Sequence, residues 1–150
     1  MSRFIHSHKV NGLNEAIEIS VGLDGPGGAS HQYNVIGFGE NIPNIGPRPF
    51  GVNIRFQNGP IATEKDFNGI TNEALLAVLI DRMQGFQGEL PHQKEQMSAA
   101  TTHLAERPPV APFRCRENAI ALTHLEEALM WLQKRTRERM ARNVEGKLEK

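Results

Sequence analysis

The stretch "RCRENAIALTHLEEALMWLQKRTRERMAR", residues 114–142, contains neither glycine nor proline and is rich in strong helix formers. No other feature limits the fold so strongly. Leu122, Leu125, Leu129 and Leu132 recur at 3-4-3 spacing, the seam of an antiparallel helix pair. At about 1.5 Å per residue such a helix spans roughly 43 Å. A partner stands upstream in "NGITNEALLAVLIDRMQGFQG", residues 68–88. Thr71 or Asn72 can cap it, and Glu73 suits the positive end of its dipole. Leu75, Leu76, Leu79, Ile80 and Met83 form its apolar stripe, and Gly85 and Gly88 end it. The spacing predicts a helical hairpin of 68–88 against 114–142. The first helix is too short to cover the second, so a second copy of the chain is the expected cover for the remainder.

Upstream the composition changes. Residues 1–60 hold ten of the 14 glycines and five of the nine prolines, which favours strands joined by turns. "EAIEISVGL" (15–23) alternates Ile17, Ile19 and Val21 on one face. "HQYNVIGF" (31–38) is the expected returning strand across the glycine-rich turn "DGPGGAS" (24–30), and "GVNIRF" (51–56) a third after the proline-rich 42–50. His6 and His8 fall on an N-terminus expected to fray. Residues 91–107 read as a short, weakly amphipathic helix opened by Pro91 and stopped by "RPPVAP". The fold class expected is α+β: an N-terminal antiparallel β-sheet (1–62) followed by the hairpin, with 90–112 as an insertion in one domain spanning 1–150.

Charge narrows the function. The chain has 17 basic and 17 acidic residues, which argues against general nucleic-acid coating. Yet residues 134–150 hold seven bases against three acids, with Lys134, Arg135, Arg137, Arg139 and Arg142 crowded together. One or two cations at a helix C-terminus need no reason beyond the dipole, at about 0.3–1 kcal/mol each. Continuing the leucine seam, however, reaches Arg135 or Thr136 and then Arg139, on a face that is apolar just upstream. Guanidinium forks entering a contact face call for an anion such as phosphate. Asn118 precedes Leu125 by seven residues on the same seam, and its amide suits a nucleobase edge. Asn118 and Arg135 lie roughly 25 Å apart on one helix. A mononucleotide-sized ligand meets both only if two such helices pair antiparallel across a two-fold axis.

Several motifs together resemble the phage family called Thoeris anti-defence one. They are "GLNEAIEISV", "GPGGASHQY", "FQNGPI" (56–61), "NGITNEALLAVLIDRMQGFQ" (68–87), "CRENAIALTHLEEALMWLQKRTRERMAR" (115–142) and "VEG" (144–146). The long helix is also similar to the hairpin of small phage anti-CBASS proteins. The resemblance implies a non-catalytic sponge in the host bacterial cytoplasm. Its ligand would be a cyclic ADP-ribose isomer and, in some members, a cyclic di- or trinucleotide held at a separate site. It further implies a dimer and a hexamer. Carried over by motif, Phe86 would stack on the base, Asn118 would read the adenine edge, and Arg135 and Arg139 would hold the pyrophosphate. The chain departs from the family in "GELPHQKEQMSAATTHLAERPPVAP" (88–112), where compact members run almost directly from "GFQ" to "FRCREN". It also reads "RNVEGK" where many members have a glycine and a threonine.

Other constellations are weaker. The six histidines form no metal motif and HExxH is absent. Single Cys115 excludes an intrachain disulfide and is expected in a reducing cytoplasm as an ordinary helix-start residue. "GPGGAS" lacks the lysine and the strand-to-helix context of a P-loop, so a plain hairpin turn is favoured over a phosphate nest. Trp131 and Met130 are expected in the helix interface. No apolar run approaches the ~18 residues of a membrane span. Neither a catalytic residue arrangement nor a cofactor motif is seen. The alternative from another class is a small basic-helix adaptor for DNA or RNA, whose affinity would fall steeply with salt.

Overall fold

The computed structural model describes residues 3–10, 15–38, 49–59, 61, 64–100, 111 and 113–142. The fold is α+β, an antiparallel sheet followed by helices. The described residues divide into two compact units, 3–71 and 72–142.

The first unit is built on strands β1 (Arg3–Ile5), β2 (Ile17–Val21), β3 (Gln32–Phe38) and β4 (Pro49–Arg55), in the order β1-β2-β3-β4. All neighbours are antiparallel. The alternation expected in 15–38 sets the register: Ile19, Val35 and Val52 lie in one cross-strand row, and Val21, Tyr33 and Ile54 in the next. In the third row Gly37 faces Phe50, and the Phe50 ring occupies the space a Cβ on Gly37 would need. Val21 is the buried apolar residue of this sheet among the described residues. The N-terminus carries a strand rather than fraying, and His8 Nε2 lies 2.9 Å from the Ile17 carbonyl oxygen.

The turn between β2 and β3 is a hairpin loop. Gly27 and Gly28 take φ of 81° and 78°, which glycine allows without strain. Gly25 and Gly28 spend their N–H groups on Ala29 O and Gly25 O, inside the loop. Those donors are therefore taken, and the structure favours the turn over an anion nest.

Beyond β4 the chain folds back on itself. Phe56 and Ile70 form a parallel bridge, with Gln57 N–H donating to Ile70 O and Ile70 N–H to Arg55 O, each at 2.8 Å. Gly69 permits this approach, since a Cβ there would lie 2.7 Å from Arg55 O and closer still to the Phe56 carbonyl. Backbone cannot yield as a side chain does. Gly69→Ala is expected to destabilise the sheet unit by about 1–3 kcal/mol, and urea unfolding measures it.

The second unit contains α1 (Asn72–Gln87), α2 (Pro91–Ala100) and α3 (Arg116–Ala141). Three contacts order the hairpin as antiparallel: Glu73 with Thr136, Gln84 with Glu126, and Gln87 with Cys115. Ile80 and Leu122 are its buried apolar residues among the described residues. α1 ends in a Schellman turn, with Gly88 at φ 73°, its N–H on Gly85 O and the Glu89 N–H on Gln84 O. Gly88 thus ends α1, whereas Gly85 lies inside it. α2 is tied back to α1 by the Gln93 amide, which donates to Gly85 O at 2.9 Å. Residues 101–110 lie outside the described residues, as do 39–48 of the proline-rich loop.

Candidate ligand site of the helical hairpin

α3 begins where its sequence asks it to. Cys115 is the N-cap, in extended conformation, and its Sγ accepts from Asn118 N–H at 3.4 Å. Glu117 in the first turn and Arg139 in the last complement the dipole. Asn118, Leu122, Leu125, Leu129, Leu132, Thr136 and Arg139 then follow at alternating steps of four and three, and each is buried or half-buried. The seam therefore passes through Thr136, whose hydroxyl donates to Glu73 Oε1 at 3.4 Å, and Arg135 projects from the flank, exposed.

Phe86 and Asn118 both reach Phe113 at the end of the hairpin where α1 stops and α3 starts. The Phe113 ring stands edge-on to Phe86 with centroids 6.0 Å apart, and the Phe113 carbonyl accepts from Asn118 Nδ2 at 3.0 Å. That bond fixes the amide and leaves Oδ1 as an acceptor and the second N–H as a donor. Adenine presents the matching pair on one edge. Arg82, one turn before Phe86, places its guanidinium 4.9 Å over the Phe86 ring. The buried Gln87 amide donates to Cys115 O at 2.9 Å and ties the two helix ends together.

Arg135 and Arg139 stand near the opposite end of α3, where Thr136 meets the start of α1. Arg135 is 17 residues from Asn118 in sequence, roughly 25 Å along the axis. One chain therefore brings Phe86 and Asn118 to a common neighbour, Phe113, and leaves the two arginines apart from them. Phe113 and Arg82 escaped the sequence reading. The signal for Arg82 was present, an arginine four residues before a phenylalanine on a helix; Phe113 sits beyond the insertion and carries none.

Trp131 and Met130 are not in the hairpin seam. They are 60% and 51% exposed, and Lys134 Nζ lies 4.8 Å over the Trp131 ring. Ile120, 45% exposed, is likewise turned from the seam. No group of His, Cys, Asp and Glu among the described residues is arranged to hold a metal ion, and no helix there is long and apolar enough to cross a membrane.

An antiparallel sheet followed by a two-helix hairpin, with two aromatic rings and an amide at one end of the hairpin and arginines near the other, defines a small α+β hairpin protein. Residues 51–137, more than half of the chain, match the Acb2/Tad1 hairpin domain. The chain belongs to that family. It is also 40% identical over 126 residues to a protein of Bacillus phage SBSphiJ7 named Thoeris anti-defense 1. That alignment covers 84% of this chain and 66% of the relative, so the chain spans just under two thirds of the relative's length.

Proposed function

We propose that this protein is a phage anti-defence protein, acting in the cytoplasm of the infected bacterium, which binds a cyclic ADP-ribose isomer and withholds it from its effector without cleaving it. The observation that carries the reading is the division of one helix into two half-sites. An aromatic ring and an open amide stand at its start, and guanidinium groups stand near its end, too far apart for one ligand. A second copy laid antiparallel on the first brings Asn118 and Phe86 of one chain to Arg135 and Arg139 of the other. Two equivalent sites result. Base stacking on Phe86 would contribute about 1–3 kcal/mol and the arginines would hold the pyrophosphate. Self-association goes on from this dimer to a hexamer, and exposed Ile120, Met130 and Trp131, on the side of α3 turned from the seam, are the surface that the further association would cover. Cyclic di- or trinucleotides are the second ligand class, taken at a separate site.

The relative's name supports the anti-Thoeris reading. A sponge works only when its sites outnumber the signal and bind it more tightly than the effector does. Calorimetry with cyclic ADP-ribose isomers is expected to give one ligand per chain, with Arg139→Ala weakening binding by about 10–100-fold. Denaturing the loaded protein should return intact ligand. A hydrolysed product in its place would make the protein a hydrolase. Binding that tracks nucleic-acid length and falls steeply with salt would instead favour the basic-helix adaptor.

A further inference from the structure

The sheet unit carries a groove of about 520 Å³, lined by Leu23, Gly25, His31, Gln32, Arg55, Phe56, Asn58 and Asn68. That volume falls within the range of about 300–1,000 Å³ usual for small-molecule sites. It shares no residue with the hairpin site.

One rim of the groove is unusually well held. Gln57 donates its amide to Asp66 O at 2.9 Å and to Gly59 O at 3.3 Å, and accepts from Asn68 N–H at 3.1 Å. Asn68 brackets the backbone of Asn58, accepting from its N–H and donating to its carbonyl, each at 2.8 Å. Two side chains are thus spent on the main chain of one turn. The residue they immobilise, Asn58, is exposed, and its own amide makes no hydrogen bond among the described residues. These bonds close the turn and fix the main chain of Asn58, so its side chain starts from a set position at the rim of the groove.

The floor is fixed too. Phe56 stands edge-on to Tyr33 with centroids 5.6 Å apart, and Gly69 backs it with bare backbone. His31 forms a wall over Gly25, where a Cβ would come within 2.8 Å of its Nε2. Arg55 and Gln32 are directly opposed on β4 and β3. Arg55 is exposed and has no carboxylate partner among the described residues, so its fork is open to an oxyanion.

We infer that this groove is a binding site for a nucleoside phosphate, with Arg55 on the phosphate, the Asn58 and Gln32 amides on the base or sugar, and Phe56 beneath the planar part. The inference does not depend on the hairpin reading. Titrating AMP and ADP into the ¹⁵N-labelled full chain is expected to give saturable shifts at Gly25, Gln32, Arg55 and Asn58. Arg55→Ala should weaken binding about tenfold or more, Arg55→Lys less, and Asn58→Ala a few-fold. Arg139→Ala should leave these shifts unchanged, which separates this site from the hairpin site. Saturable shifts at none of those residues, binding indifferent to both Arg55→Ala and Asn58→Ala, or inorganic phosphate binding as tightly as AMP would each overturn the assignment.

Discussion

Chains carrying Asn118→Ala, mixed with chains carrying both Arg135→Ala and Arg139→Ala, are expected to recover ligand binding that neither variant shows alone. The expectation follows from the distance along α3. If each site takes its amide from one chain and its arginines from the other, a mixed dimer holds one intact site and one doubly broken site. Random exchange makes about half the dimers mixed, so roughly a quarter of all sites should bind with unaltered affinity. Each homogeneous variant should bind about 10–100-fold more weakly. Calorimetric stoichiometry reads the outcome directly. Recovery of no sites after verified exchange would mean that the residues do not meet across a two-fold axis. The substitutions are suited to the test because Arg135 is exposed and Asn118 and Arg139 are only half-buried.

Leu122→Ala is expected to have the largest effect on stability, about 2–4 kcal/mol. Leu122 is 4% exposed, the most buried residue of the hairpin seam, and truncation there leaves a cavity that two rigid helices cannot close. A loss of that size is a large share of the ~5–15 kcal/mol that holds a domain together. Trp131→Ala makes the instructive contrast. With 60% of its surface exposed, Trp131 should contribute little to the stability of one chain. If α3 meets a further copy through this side, the variant should instead shift the association equilibrium beyond the dimer. Urea unfolding at several protein concentrations separates the two effects, because only stability derived from association depends on concentration. A cost below about 0.5 kcal/mol for Leu122→Ala would mean that the seam is not the core of this unit.

The hairpin and most of the sheet were legible because each depends on local periodicity. Leucines at steps of three and four declare a helical face, and Ile17, Ile19 and Val21 declare a strand face, whatever lies opposite. The same locality kept β1 hidden, since three residues give an alternation too brief to recognise. It also left open whether the seam passes through Arg135 or Thr136, because both steps are allowed on a free helix. Only the partner decides: Glu73 of α1 meets the Thr136 hydroxyl, which turns Arg135 outward. Phe113 reaches Phe86 and Asn118 only after α1 and α3 have packed, bringing residues on either side of the insertion to one point. The clasp of Gln57 and Asn68 around Asn58 likewise joins side chains about ten residues apart, at a spacing that matches no secondary-structure period. By itself, then, the order of residues determined which faces are apolar and where helices start and stop, because those are short-range preferences. Tertiary structure decided which polar groups stay open for a ligand, because that depends on what folding brings up to each of them.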